Sequence, residues 1–192
     1  MDVSNKIRKI MEHFWTKIHG WDDGIPPVYQ DMVAQAEDGM HFVEIGAWKG
    51  RSSAFMAVEI ANSGKKIRFD CVDTWQGDPN EQGHMEDPDV REGRLYEAFL
   101  DNMKPVEGYF NPVRSTSVEA AKLYEDGSLD FVFIDGAHDY DSVKADIAAW
   151  LPKVCEGGIL AGHDWGHQPV AKAVQESLDG IEIVHGCWFK QK

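Results

Sequence analysis

Leu129-Asp130-Phe131-Val132-Phe133-Ile134 is a nearly continuous apolar run that ends in Asp135-Gly136. Such a run fits a strand buried on both faces, and a strand of that kind needs helices above and below it. The rest of the chain supplies them. Apolar strands at His41 to Ile45, Ile67 to Val72, Asn111 to Arg114 and Gly158 to Ala161 alternate with helical patterns. The helices fall at Ser52 to Asn62, Arg91 to Met103, Val118 to Tyr124, Tyr140 to Leu151 and Val170 to Leu178. Ile181 to Val184 and Cys187 to Phe189 read as two closing strands around a His185-Gly186 turn. The expected fold is α/β: a Rossmann-like, doubly wound and mostly parallel sheet with helices on both faces. Ahead of it, Ile7, Ile10, Met11, Phe14, Trp15 and Ile18 recur at helical spacing. Residues 1–38 therefore read as an N-terminal helical cap, with a second short helix over Val28 to Glu37, and residues 39–192 as the single main domain. An apolar N-terminal helix covers the sheet or a partner subunit, so a homodimer is one expectation.

Sheets of this kind bind ligands beyond the carboxyl ends of their strands. The chemistry is thus expected after Ile45, Val72, Arg114, Ile134 and Ala161. Net charge narrows the ligand: 33 acidic against 19 basic residues give −14, which opposes nucleic acid. The same balance opposes an anionic membrane surface, and no apolar run reaches bilayer length. Cys71, Cys155 and Cys187 form no CxxC pair, and no apolar stretch opens the chain, so cytoplasmic reduced thiols are expected.

Two segments carry the functional reading. In the first, Glu44-Ile45-Gly46-Ala47-Trp48-Lys49-Gly50 turns from a strand into a helix that begins Arg51-Ser52-Ser53. Glycines let the backbone approach a ligand, and the helix start offers free N–H groups. Glu44 either meets a cationic amine or braces the turn. Asp73 can accept both hydroxyls of a ribose, or cap the loop that follows. After it come Thr74 and Trp75, the latter a wall beside an adenosine or an ordinary loop aromatic. Ser115-Thr116-Ser117 reads first as capping for the next helix, which leaves backbone contact with an adenine edge open. A nicotinamide site would show GxGxxG, and Glu44 would stand against its pyrophosphate. An amine-bearing adenosyl cofactor, S-adenosylmethionine, meets both requirements.

The second segment pairs Asp135-Gly136-Ala137-His138 with Gly162-His163-Asp164 on the neighbouring strand. Carboxylates with an imidazole can hold a divalent cation with open positions. His138 or His163 can act as general base, since an unperturbed imidazole titrates near ~6.5. The alternative is that Asp135 only helps hold the cofactor while the histidines are solvent-facing. Gln76 to Glu92, long and acidic, reads as a lid over substrate or a disordered surface loop.

From His41 to Phe189 the chain resembles the class I S-adenosylmethionine-dependent methyltransferases. Within them it is most similar to the small group of macrocin-type sugar O-methyltransferases and cephalosporin-hydroxylase-like proteins. The resemblance rests on Glu44 through Gly50, Asp73-Thr74-Trp75 with Gly77-Asp78, Asp130 through Asp135 with His138 and Tyr140, Val143-Lys144-Ala145-Asp146-Ile147 with Trp150-Leu151-Pro152, and Gly157 through Asp164. It implies a seven-stranded sheet with an antiparallel last strand and methyl transfer to a small-molecule or sugar hydroxyl. Cofactor contacts are implied at Glu44, Gly46, Gly50 and Asp73, extended here to Ala47, Ser52, Ser53, Thr74, Trp75, Ser117 and Asp135. Mg²⁺ or another divalent cation is implied on Asp135, His163 and Asp164, the same edge that offers Asp135, His138 and His163 for catalysis. Thr116 stands where relatives often carry an acid, and a His–Asp pair where metal-dependent relatives carry carboxylates or carboxamides. A non-methylating or hydroxylase-like module of the same fold, or a nicotinamide oxidoreductase, are the other readings.

Overall fold

A computed structural model describes residues 10–192. Its centre is one sheet of seven strands in the order β3-β2-β1-β4-β5-β7-β6. The strands are β1 (His41–Ile45), β2 (Arg68–Asp73), β3 (Asn111–Arg114), β4 (Leu129–Ile134), β5 (Val154–Gly162), β6 (Glu182–Val184) and β7 (Cys187–Gln191). The first five run parallel, and β7 lies antiparallel to both β5 and β6. The helices are α1 (Ile25–Gln35), α2 (Arg51–Ser63), α3 (Gln82–Glu86), α4 (Pro88–Arg91), α5 (Leu95–Met103), α6 (Ser117–Ala121), α7 (Tyr140–Trp150) and α8 (Gln168–Ser177).

Alternation along the strands divides the core in two. Phe42, Phe69, Cys71, Phe131 and Phe133 face one side, where they pack with α1, α2 and α5. Val43, Ile45, Val72, Val132 and Ile134 face the other, with α6, α7 and α8. Phe131, Val132 and Phe133 are almost wholly buried, as the unbroken apolar run requires. Glu44 shares the phenylalanine side and so points into a helix-covered core.

Three local expectations change. Ile7 lies outside the described residues, and over residues 10–18 there is no α-helix, only a 3₁₀ turn at Trp15–Lys17. Side chains satisfy this backbone instead: Met11 exchanges hydrogen bonds with the Asn62 amide, and Arg51 donates to the Ile18 carbonyl. Met11, Phe14 and Trp15 pack against the chain's own core. Thr116 precedes α6 but makes no side-chain cap, and Ser117 instead accepts from Trp150 Nε1 at 2.8 Å. The span Gln76 to Glu92 is built rather than loose, since α3 and α4 occupy it. Among the described residues no helix is long and apolar enough to cross a membrane.

Candidate functional site

The parallel register aligns the carboxyl ends of the strands. Ile45 lies beside Ile134 and Val72, and Ile134 beside Gly162. Gly46, Asp73, Asp135 and His163 therefore leave the sheet along one edge. Backbone bonds lock that edge, with Asp135 N–H donating to the Ile45 carbonyl and His163 N–H to the Ile134 carbonyl. Gly46 is required here: its φ is +92°, and a Cβ would fall 1.9 Å from the Asp135 carbonyl oxygen. Gly50, at φ +90°, begins α2 where a Cβ would press on Met103 and Phe99. Trp48 and Asp164 adopt the same left-handed region at φ +48° and +57°. Non-glycine residues hold that conformation only where their surroundings impose it.

Two cavities open on this edge. The first, about 450 Å³, runs from Gly46, Asp73 and Thr74 past Asp135 and Gly136 to Ser117 and Asp146. The second, about 400 Å³, is walled by Trp21, Ala47, Ser52, His138, His163 and Asp164. Gly46, Trp48, His84, Asp135 and Gly136 line both. Asp73 accepts from the backbone N–H groups of Trp48 and Trp75 at 2.8 and 2.7 Å, which fixes its carboxylate on the wall of the first cavity. Burial raises its carboxyl above the ordinary value against those bonds. The Trp48 indole N–H is buried and has no partner among the described residues.

Four residues expected at the cofactor sit behind the cavities. Glu44 is 1% exposed and lines neither. Tyr29 donates to it at 2.8 Å, and the Ser53 hydroxyl also bonds to it. Burial pushes the Glu44 carboxyl up to about 7, against hydrogen bonds from Ser52, Ser53 and Tyr29. Gly50 faces Phe99 and Met103, and Trp75 is buried with its indole donating to the Trp48 carbonyl. These residues shape the turn from inside.

At the second cavity His138 Nε2 lies 3.0 Å from Asp164 Oδ2 and 3.9 Å from Asp135 Oδ1. His163 Nδ1 lies 3.4 Å from Asp135 and 3.2 Å from Asp164, while its Nε2 meets the Asp23 carbonyl at 2.7 Å. Asp135, His138 and Asp164 offer ligand atoms all within 4.8 Å of one another. His138 thus joins the two carboxylates, while His163 keeps its Nδ1 toward both of them and is held through Nε2 by Asp23. Hydrogen bonds to Asp135 and Asp164 push His138 up to about 10. Burial opposes the same effect on His163, yet the two carboxylates hold it up to about 11. Despite burial, Asp164 is held well below the usual carboxylate range by the two imidazoles. Neither ring is thus the free imidazole base the sequence suggested. The cluster as it stands carries protons on both rings.

Other contributors were not singled out from the sequence. Lys49 Nζ pairs with Asp87 at 2.8 Å and Asp89 at 2.6 Å, pinning the α3–α4 segment to the glycine turn. That segment brings His84 to stack on Trp48 at 4.1 Å, with Trp21 5.5 Å from the same imidazole. A basic residue inside the turn and paired acids in a long loop were the available signal, but nothing in the spacing joined them. Asp146 belongs to the Val143 to Ile147 stretch that carries part of the resemblance, but its place in a helix assigned it no role.

The comparisons agree with this architecture. A family described as "Methyltransferase domain" matches residues 43–165. An uncharacterized protein of Sinorhizobium fredii, y4gI, is 30% identical over 163 residues. The match takes in 78% of this chain but spans only 17% of that protein's length. The O-methyltransferase NovP superposes with a TM-score of 0.64 at 18% identity, covering 88% of this chain and 77% of NovP. CalS11, a calicheamicin methyltransferase, gives 0.61 at 17% identity, covering 87% and 76%. MycE, a mycinamycin-pathway methyltransferase solved with Mg, SAH and mycinamycin VI, gives 0.52 at 16% identity, covering 86% and 47%. At such identities the structures show a shared fold, and the sequence match across both site segments shows descent: the chain belongs to the methyltransferase-domain family.

Proposed function

We propose that this chain is an S-adenosylmethionine-dependent O-methyltransferase acting on a small-molecule or sugar hydroxyl. One observation carries the reading. Two cavities meet at Gly46, Asp135 and Gly136, one walled by the Asp73 carboxylate and the other by the Asp135, His138, His163 and Asp164 cluster. A donor and an acceptor placed in the two would face each other across that junction. NovP and CalS11, of the same fold, are methyltransferases, and NovP methylates oxygen.

The first cavity fits an adenosyl cofactor. Asp73 supplies the acceptors a ribose diol needs, the backbone of Gly46 comes to the surface without a side chain, and Trp48 holds an unused N–H. Val72, Val118 and Ala137 offer an apolar slot. The cofactor, when bound, supplies a sulfonium-activated methyl group. Gly46, Thr74, Ser117 and Asp135 are then its lining, Ala47 and Ser52 stand on the wall of the second cavity beside the shared Gly46, and Glu44, Gly50, Ser53 and Trp75 hold the turn in place. Residues 20–23, ahead of the 39–192 domain, close the second cavity as a cap, and the Lys49-pinned segment forms its lid. Orienting two reactants in this way can replace much of the entropic cost of a bimolecular encounter.

At the acceptor side His138 and His163 are the proton-handling groups: paired with Asp135 and Asp164 both rings start protonated, so they meet an acceptor oxygen as hydrogen-bond donors, and either acts as base only after giving up its proton. The two carboxylates also suit a hard divalent cation such as Mg²⁺, while the imidazole beside them is a donor that softer divalent metals favour. Asp135, His138 and Asp164 would hold the cation, and it would supply Lewis-acid activation of the acceptor hydroxyl. MycE, of the same fold, is solved with Mg and SAH, which favours a divalent cation at this edge. Calorimetry with S-adenosylmethionine, its demethylated product and NAD tests the reading. Binding of the first two is expected; binding of NAD alone overturns it.

A further inference from the structure

One buried ionisable group on the first cavity has no part in this scheme. Asp146, on α7, lines the cavity and is 5% exposed. No lysine, arginine or histidine compensates it among the described residues. A buried carboxylate without a cation is costly and needs donors. It has one in the protein, the Ser117 hydroxyl. Ser117 accepts the Trp150 indole N–H at 2.8 Å, so its own proton is free to point at the carboxylate. The chain Trp150 to Ser117 to Asp146 thus fixes the carboxylate from behind.

A carboxylate can accept about four hydrogen bonds, so one hydroxyl leaves acceptor capacity unused. That capacity faces open space. Asp146 Oδ2 stands 3.8 Å from the point where a Cβ on Gly136 would lie, and Gly136 carries none. Val118, Ala137 and Ala145 line the same cavity and give it apolar walls. A flat heterocycle between such walls, with an amino group at its edge, would meet the carboxylate with an N–H. Burial pushes the Asp146 carboxyl up to about 6, which still leaves it an anionic acceptor at neutral pH.

We infer that Asp146 is the specificity-determining acceptor for the exocyclic 6-amino group of the cofactor's purine. The inference rests on the cofactor reading above. It makes the cavity selective for an aminopurine nucleoside and gives Ser117 and Trp150 the task of positioning the acceptor.

The test compares two ligands by calorimetry at pH 7.5: S-adenosylhomocysteine, and its analogue with hydrogen in place of the 6-amino group. Losing a buried, charge-assisted hydrogen bond predicts about 10–100-fold weaker binding of the analogue to the unaltered protein. Asp146→Ala should weaken the natural ligand and bring the two affinities within about threefold. Asp73→Asn, at the group assigned to the ribose diol, should weaken both ligands and leave their ratio unchanged. Equal binding of the two ligands to the unaltered protein overturns the role of Asp146 without any variant having to fold. A ratio that survives in a folded Asp146→Ala protein overturns it as well. In either case S-adenosylhomocysteine still binds and the cofactor reading stands. If neither ligand binds the unaltered protein while NAD does, the cofactor reading falls and takes this role with it.

Discussion

Replacing Glu44 by glutamine is expected to stabilise the protein, and by an amount that depends on pH. Glu44 is buried between β1, α1 and α2 without a cation, and burial raises its carboxyl from 4.5 to about 7. An acid raised on folding binds its proton more tightly in the folded state. Its favourable contribution is complete below pH 4.5, shrinks as pH rises through about 7, and is lost above that. At 1.36 kcal/mol per pKa unit the loss amounts to about 3 kcal/mol. Glutamine cannot ionise, so Glu44→Gln escapes this loss. Its amide requires one of the Tyr29 and Ser53 hydroxyls to accept instead of donate, which costs about 1 kcal/mol. At pH 8 the variant should therefore be more stable by about 2 kcal/mol. That raises the melting temperature by about 4–8 °C for a chain of this size. Near pH 5 the gain should vanish or reverse. The wild type carries other raised carboxyls, Asp146 and Asp73, but both are shared with the variant and cancel in the difference. Thermal melts of both proteins from pH 5 to 8 measure the gap. A gap that stays constant over this range, or a variant less stable at pH 8, refutes the account of Glu44 as an uncompensated buried acid.

Three further perturbations test neighbouring parts of the structure. Tyr29→Phe removes the 2.8 Å donor to Glu44 and should cost about 1–3 kcal/mol, more at pH 8 than at pH 5 because the ionised acceptor suffers more. Equal loss at both pH values in chemical denaturation would contradict the donor role. Lys49→Met leaves Asp87 largely buried without its cation, so a loss of about 2–4 kcal/mol is expected. Faster proteolysis within residues 76–94 should accompany it, and an unchanged cleavage pattern would show that the pairs do not hold the lid. Asp164→Ala should abolish any dependence of methyl transfer on divalent cation and change affinity for S-adenosylhomocysteine by less than about threefold. Full wild-type activity in chelator would remove the metal role altogether.

Strand positions and the active edge were legible because both follow from short-range pattern, whereas the order β3-β2-β1-β4-β5-β7-β6 came only from the structure. The apolar run Leu129–Ile134 requires cover on both faces, and alternating helices supply it only in a parallel sheet, whose ligand edge is then settled. Asp73, Asp135, His163 and Asp164 could be placed on that edge because each directly follows or closes a strand. The turn's need for glycine at position 46 was equally local. What the sequence alone could not supply was the partner each group meets at long separation. Glu44 looks the same in sequence whether it greets a ligand or a tyrosine; only the packing of α1 brought Tyr29 onto it, fifteen residues away. Only the tertiary packing set His138 Nε2 3.0 Å from Asp164 and brought the Asp23 carbonyl, 140 residues from His163, onto the Nε2 of that imidazole. Lys49 reached forty residues to Asp89, and Asp146 faced the cavity because Ser117 and Trp150 turned it there. Periodicity and strand-end position are properties of consecutive residues, so the chain by itself determined the sheet and its reactive edge. Hydrogen-bond partnership and charge compensation depend on distances between remote residues, and those only the tertiary structure decided.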